Sequence, residues 1–295
     1  MSTPRHLAFA VIMLLFSFCL SNRAFAGFER RFLGTRALGA SGALTAFGDG
    51  AWSFYYNPAR SSETSQIDAF FSPAIFGLQE IKSTGISISN NSFGINYAAA
   101  VHTFGFELYR ETVFSLNLSI PVYDFLFLGS NANLNHLFIK DYGSGLALSI
   151  DAGARVFVSE NLSTGFSVTN LNSCTMTLSN DPLPQALAAG VAYVSEKLNI
   201  GLDYYREIGF PSALRIAAEY SPFNFITFRT GTASGANSIN AGLSLRFSRF
   251  EIGYGGMYHR ILGATHSFSV SLEFGNDGNS EFEQIQKYRN SLKGR

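Results

Sequence analysis

Cysteine is almost absent: Cys19 and Cys174 are the only two in 295 residues, so no disulfide framework organises the fold. Charge is scarce as well, at 14% of residues. The first 26 residues hold two of the 21 basic side chains and no acid, which leaves 19 basic against 21 acidic residues, or −2, in the remainder. No basic excess is available to hold nucleic acid. Beyond the leader the histidines are His102, His136, His259 and His266; they show no ligand spacing, so neither a metal centre nor a cofactor is indicated. No acid is tied to a nucleophile or a metal in a catalytic pattern, which argues against an enzyme. After residue 26 there is also no run of about 18 apolar residues, so no transmembrane helix is available.

What is abundant is aromatic and small. Phe occurs 29 times and Gly 28 times. The chain opens with Arg5 and His6, an apolar stretch over 7–20, and Ala24-Phe25-Ala26, a small-x-small site. This reads as a cleaved secretory signal spanning 1–26. Phe18 before Cys19 disfavours lipidation. An exported chain this aromatic, without a spanning helix, needs another place for its apolar surface.

From residue 66 onward the hydrophobic period is close to two. Phe268, Val270, Leu272 and Phe274 alternate with Ser267, Ser269, Ser271 and Glu273. Ile150, Ala152, Ala154 and Val156 oppose Asp151, Gly153 and Arg155, and Leu214, Ile216, Ala218 and Tyr220 oppose Arg215, Ala217 and Glu219. Sustained strict alternation is a strand signal. Segments of about ten such residues between short turns fit tilted membrane-crossing strands. The turns read at 159–161, 195–197, 221–224 and 234–237, with longer connections at 131–141 and 172–184. A soluble sandwich would show the same alternation; the leader, the aromatic load and the glycine content favour an all-β transmembrane antiparallel barrel. The stretch 65–275 has room for 12 to 14 strands, ending in Phe274, the terminal aromatic that barrel-assembly machinery recognises. Residues 276–295 form a polar, helix-compatible tail expected on the periplasmic side.

If the apolar face meets lipid, the phase assigns Glu107, Asp151, Arg155, Asp203, Arg215, Glu219, Arg229, Arg246, Glu251 and Glu273 to the lumen. A charged Arg or Lys on the lipid face near the midplane would cost roughly 2–4 kcal/mol. The set fits a polar channel, a network that docks a plug, or pairing that stiffens the wall. Phe71, Tyr97, Phe106, Tyr193, Tyr204, Tyr220, Tyr254 and Tyr258 are candidates for interface girdles or for ordinary outward wall residues.

Residues 27–64 break the alternation. They carry Gly34, Arg36, Ala37, Gly39, Gly42 and Ala43, then Gly48-Asp49-Gly50 and Asn57-Pro58-Ala59. The glycines lack a Lys-Ser/Thr follow-up and a preceding strand, so a phosphate loop is a weak reading. The pattern resembles the opening of PorV/PorQ-type outer-membrane barrels and, more distantly, the FadL-type long-chain fatty acid transporters. Ser41 departs from it where a glycine is usual, and Gly48-Asp49-Gly50 replaces an acidic pair. Val168-Thr169-Asn170-Leu171, Asp181-Pro182-Leu183-Pro184 and Thr265-His266 also look like the PorV/PorQ family. The resemblance implies a barrel of about 14 strands whose N-terminal segment folds into the lumen as a hatch. It implies first a role in type IX-like protein secretion or surface attachment, with secretion components or cargo as partners, which the short connections and the polar tail favour slightly; a FadL-like channel for hydrophobic small molecules is the alternative. A structural outer-membrane protein without transport is the third class.

Overall fold

A computed structural model describes residues 27–48, 50–59, 61, 64–92, 94–178 and 180–274. The leader, Asp49 and the 276–295 tail lie outside the described residues. Two short helices, α1 (Gly34–Gly39) and α2 (Ser53–Tyr56), precede fourteen strands. These are β1 (Ser65–Ala74), β2 (Lys82–Ser92), β3 (Ile95–Gly105), β4 (Tyr109–Tyr123), β5 (Leu126–Ile139), β6 (Gly143–Phe157) and β7 (Leu162–Thr169), followed by β8 (Ala186–Val194), β9 (Leu198–Glu207), β10 (Ala213–Phe223), β11 (Ile226–Ala233), β12 (Ser238–Phe247), β13 (Phe250–His259) and β14 (Gly263–Phe274).

Each strand pairs antiparallel with its sequence neighbours, and β1 closes on β14 through Ser65↔Phe274 to Phe71↔Phe268. Closure leaves no edge, which is what a bilayer interior without water demands of a sheet. Side-chain alternation does the rest. On β4, Phe114, Leu116 and Leu118 are exposed on the outer face, whereas Ser115, Asn117 and Ser119 are buried inside. The apolar belt therefore faces lipid, and the polar residues face the lumen.

The sequence places a long connection at 131–141, but β5 runs through it and the link to β6 is only residues 140–142. Asn131, Asn133 and Asn135 look like loop residues because they are polar; they are the lumen face of a strand whose outer face is Ala132 and Leu134. The 172–184 connection is a connection in the fold, and the expected 221–224 turn tightens to the residues after Phe223. The candidate girdle aromatics divide by height. Tyr97, Tyr193 and Tyr220 stand near the end where β1 begins, and Phe106 and Tyr258 near the opposite end. Phe71, Tyr204 and Tyr254 lie between them.

Residues 27–48 and 50–59 occupy the lumen, and the wall makes room with glycine. A methyl group on Gly231 would lie 2.5 Å from the carbonyl carbon of Ala40, and one on Gly255 2.5 Å from the Thr35 oxygen. Gly129 meets Pro58, Gly153 meets Asn57, Gly165 meets Thr45 and Gly201 meets Phe47 even more closely. On the plug side, a Cβ on Gly39 would sit 3.0 Å from Gly242 Cα. Some wall glycines also pair with one another across strands: Gly129 with Gly153, Gly165 with Gly190, and Gly242 with Gly255.

Unheated protein is expected to run as a compact, faster band on a denaturing gel and to shift on boiling; mobility indifferent to heat counts against the barrel. Gly231→Val should keep that shift yet cost about 1–3 kcal/mol of unfolding free energy through overpacking against Ala40. Chemical denaturation of the refolded barrel measures it.

Candidate functional site

A coil inside a barrel has carbonyls that no ladder satisfies, and buried ones need donors. The wall supplies them. Ser87 Oγ donates to Ala51 O at 2.7 Å, Ser163 Oγ to Ala46 O at 2.6 Å and Ser167 Oγ to Tyr56 O at 3.0 Å. Asn117, Asn131 and Asn240 donate to the carbonyls of Pro58, Phe54 and Leu38 at 2.9, 3.1 and 2.6 Å. In the other direction, the Thr45 N–H donates to Asp203 Oδ2 at 2.9 Å, and Trp52 Nε1 donates to Asp68 Oδ1 at 2.7 Å. Asn57 bridges plug and wall, donating to Thr45 O at 2.7 Å and Ala154 O at 3.0 Å. Its own Oδ1 accepts the Ala59 N–H, which closes the Asn57-Pro58-Ala59 turn. Burial pushes the Tyr56 hydroxyl well above the usual phenol range, so it stays protonated and accepts the Leu33 N–H at 2.8 Å.

Ser41, standing where the resembling families carry glycine, has φ 51°, in the left-handed region. Its hydroxyl is buried and has no partner.

A charge relay joins plug to wall. Arg36 grips Glu219 through two bonds of 2.7 Å, from Nε and Nη2. Arg229 Nε shares the same carboxylate at 3.0 Å and reaches Glu251 at 3.7 Å. Arg246 continues the chain to Glu251 at 3.0 Å and Glu273 at 3.2 Å. Six of the sequence-selected residues thus meet in one relay. Asp203 and Arg215 face each other across β9 and β10, and the Arg215 guanidinium lies 3.6 Å over the Tyr205 ring. Asp151 accepts from Asn131 and Asn133 at 3.1 and 2.9 Å, and Arg155 donates to Ser61 at 2.9 Å.

Glu107 is a correction. It has the inward phase of Tyr109 and Glu111, but it sits exposed in the β3–β4 turn, before β4 begins. The true partner on that phase is Glu111, 3% exposed, which takes Arg31 at 2.5 Å, the Phe28 N–H at 3.0 Å and the Tyr109 hydroxyl at 2.6 Å. Phase could have found Glu111. Asp68 also lies on an inward phase, but only the fold brings Trp52 to it.

Cavities of opposite character lie at the two ends of the plug. One, of 180 Å³, lies beside the Ser65↔Phe274 end and is polar, walled by Arg36, Asp68, Glu219, Glu251 and Glu273. The other, of 230 Å³, lies at the opposite end and is mostly apolar, walled by Phe28, Tyr109, Leu137, Ile139, Met176, Leu178 and Leu183, with Asp181 at its edge. Of these, Leu137, Met176 and Leu183 are nearly inaccessible and pack as one cluster. Beside it, burial pushes the half-buried Cys174 thiol up, away from thiolate reactivity.

No family profile and no curated protein matches the chain. Solved structures do. The CymD monoaromatic hydrocarbon channel superposes with a TM-score of 0.61 at 14% identity, over 82% of this chain and 98% of that one. A TodX monoaromatic hydrocarbon channel mutant gives 0.63 at 11% identity, over 83% and 99%. A Pseudomonas aeruginosa FadL homologue gives 0.57 at 11%, over 84% and 99%. The fold is that of the FadL-like fourteen-stranded bacterial outer-membrane barrels. None of these structures is specific to the PorV/PorQ subfamily.

Glu219→Ala removes the carboxylate that Arg36 and Arg229 share, although Arg229 keeps Glu251 and Ser244, and should cost up to about 3 kcal/mol of stability, whereas Arg36→Ala leaves Glu219 paired with Arg229 and should cost clearly less. Urea midpoints of the two variants test the order. Ser41→Gly relieves the left-handed backbone and removes a lone buried hydroxyl, so it should stabilise by about 1–2 kcal/mol in the same assay.

Proposed function

We propose that the protein passes a hydrophobic compound into the outer membrane, receiving it in the apolar 230 Å³ chamber. The observation that carries this is the chamber's position above a lumen filled by residues 27–48 and 50–59. An apolar site backed by a hydrogen-bonded plug suits a molecule that leaves toward lipid better than one that crosses an axial water pore. The orientation follows from loop length. The links beside the Ser65↔Phe274 end are short, and those at the chamber end include 170–185, which supports a chamber on the outer side. The hydrocarbon channels among the structural neighbours support the same reading. In it, Phe274 serves barrel assembly, the aromatic belt contacts outer-membrane lipid, and the Arg36–Glu219 relay holds the plug. Action in protein secretion rests on the motif resemblance, the short connections and the polar tail.

The test is accumulation of radiolabelled toluene by cells lacking the gene, with and without complementation. The intact protein should restore uptake, and Met176→Arg should abolish it while keeping the heat-dependent gel shift. Equal uptake in deleted and complemented cells, together with loss of surface proteins on deletion, overturns the transport reading in favour of secretion.

A further inference from the structure

Charge on the outside of the barrel is sparse and one-sided. Of the charged residues within the strands, only Lys82, Arg110 and Arg206 have the outward phase, and each is exposed. All three are cations, and all three stand at the chamber end. Lys82 opens β2, Arg110 is the second residue of β4, and Arg206 is the last but one of β9. The other strand charges face the lumen or its mouth. Thus no acid within a strand points outward, and no outward strand charge stands at the Ser65↔Phe274 end.

Two of these cations form a pair. Register sets Lys82 opposite Gly105 and Gly105 opposite Arg110, so the three share one row on the outer face. Neighbouring strands lie about 4.8 Å apart, which holds the two cations on backbones roughly 10 Å apart. Only Gly105 lies between them. The gap is built in, because Gly105 has φ 123° and a Cβ there would collide with the Tyr109 carbonyl oxygen. Among the described residues neither cation has an ion-pair partner. The nearest acids in sequence, Glu80 and Glu107, lie exposed in the adjoining links and make no ion pair with them.

The next row toward the membrane's middle is polar as well. Thr84, Thr103, Thr112 and His136 stand opposite one another on β2 to β5. One row further on, Ile86, Val101, Phe114 and Leu134 are all apolar. On β4 the outward side chains from Phe114 to Val122 are exposed and apolar. At 3.4 Å per residue they run about 27 Å along the strand, or roughly 20 Å along the membrane normal at the usual tilt. An outer-membrane barrel carries an apolar band of about 25 Å. Thr112 therefore lies at the edge of that band and Arg110 beyond it, at headgroup depth. The far side of the barrel differs: Leu214, Ile239 and Tyr258 point outward at the same end of β10, β12 and β13.

We propose that Lys82 and Arg110 clamp, across Gly105, a phosphate group carried by a glycolipid of the outer leaflet. The planar guanidinium and the compact ammonium both suit phosphate oxygens. The Thr103 and Thr112 hydroxyls offer donors just below, and the apolar rows beneath seat acyl chains. That juxtaposition on the lipid-facing side of the wall selects a lipid-borne phosphate over a free one. The proposal depends on the orientation given above, with the chamber outside, and not on transport, so lipid binding and toluene uptake fail separately.

The test is native mass spectrometry of the intact protein in a maltoside detergent. The protein is titrated with lipid A carrying both phosphates and with the same lipid after phosphatase treatment. Phosphorylated lipid A should bind at least ~10-fold more tightly. Lys82→Gln with Arg110→Gln should remove that preference and keep the heat-dependent gel shift. Arg206, opposite Leu187, has no second cation beside it, so Arg206→Gln should leave the preference within about twofold of wild type. Equal binding of the two lipids, or full preference in the double variant, overturns the site. Equal losses in Arg206→Gln and in the double variant overturn the clamp, since a cation anywhere on the rim would then serve.

Discussion

A coil enclosed by a barrel can meet neither water nor a neighbouring strand, so its carbonyls and amides depend on the wall around it. Most other features of this molecule follow from that dependence. Ser87, Ser163, Ser167, Asn117, Asn131 and Asn240 face inward because each serves a plug carbonyl. The glycines of β5, β6, β7, β9, β11 and β13 face inward for the complementary reason, since donors can reach the plug backbone only if the wall brings its own backbone close. Short polar side chains and missing ones are two halves of the same fit.

Charge follows the same geometry. Glu219 is shared by Arg36 of the plug and Arg229 of the wall, so the carboxylate keeps a partner from its own barrel. The relay ends at Arg246 and Glu273 near the Ser65↔Phe274 end, where the polar cavity opens. At the other end the pair of Arg31 with Glu111 fixes the start of the plug beneath an apolar roof. The cavities differ in chemistry because Arg36 of the plug joins the charged wall residues Glu219, Arg229, Arg246, Glu251 and Glu273 at one, while Phe28 meets Leu137, Met176 and Leu183 at the other.

Much of this was legible from alternation. The lipid-facing aliphatics, the inward phase of Asp151, Arg155, Asp203, Glu219 and Arg229, and an all-β barrel closing near Phe274 can be read by period alone. The errors have physical causes. Glu107 kept the inward phase but lay past the end of its strand, and phase says nothing about where pairing stops. Residues 131–141 looked like a loop because an asparagine-rich inner face resembles one when the outer face is read as too weak. The wall glycines passed as permissive spacers, since closeness to a plug 100 residues away leaves no local mark. Ser41 showed as a departure from a motif; that it adopts a glycine conformation required the backbone.

The sequence by itself determined which side of each strand meets lipid, because a period of two permits only one assignment once charge must avoid the bilayer. It also marked residues 27–64 as something other than strand. Only the tertiary structure decided which residues meet: Arg36 with Glu219 across 183 positions, Thr35 with Ser269 across 234, and Asn240 with Leu38 across 202. It alone set Lys82 and Arg110 in one row across Gly105. Alternation is a property of neighbours along the chain, whereas register, closure and the filling of the lumen are set by long-range packing that no local pattern records.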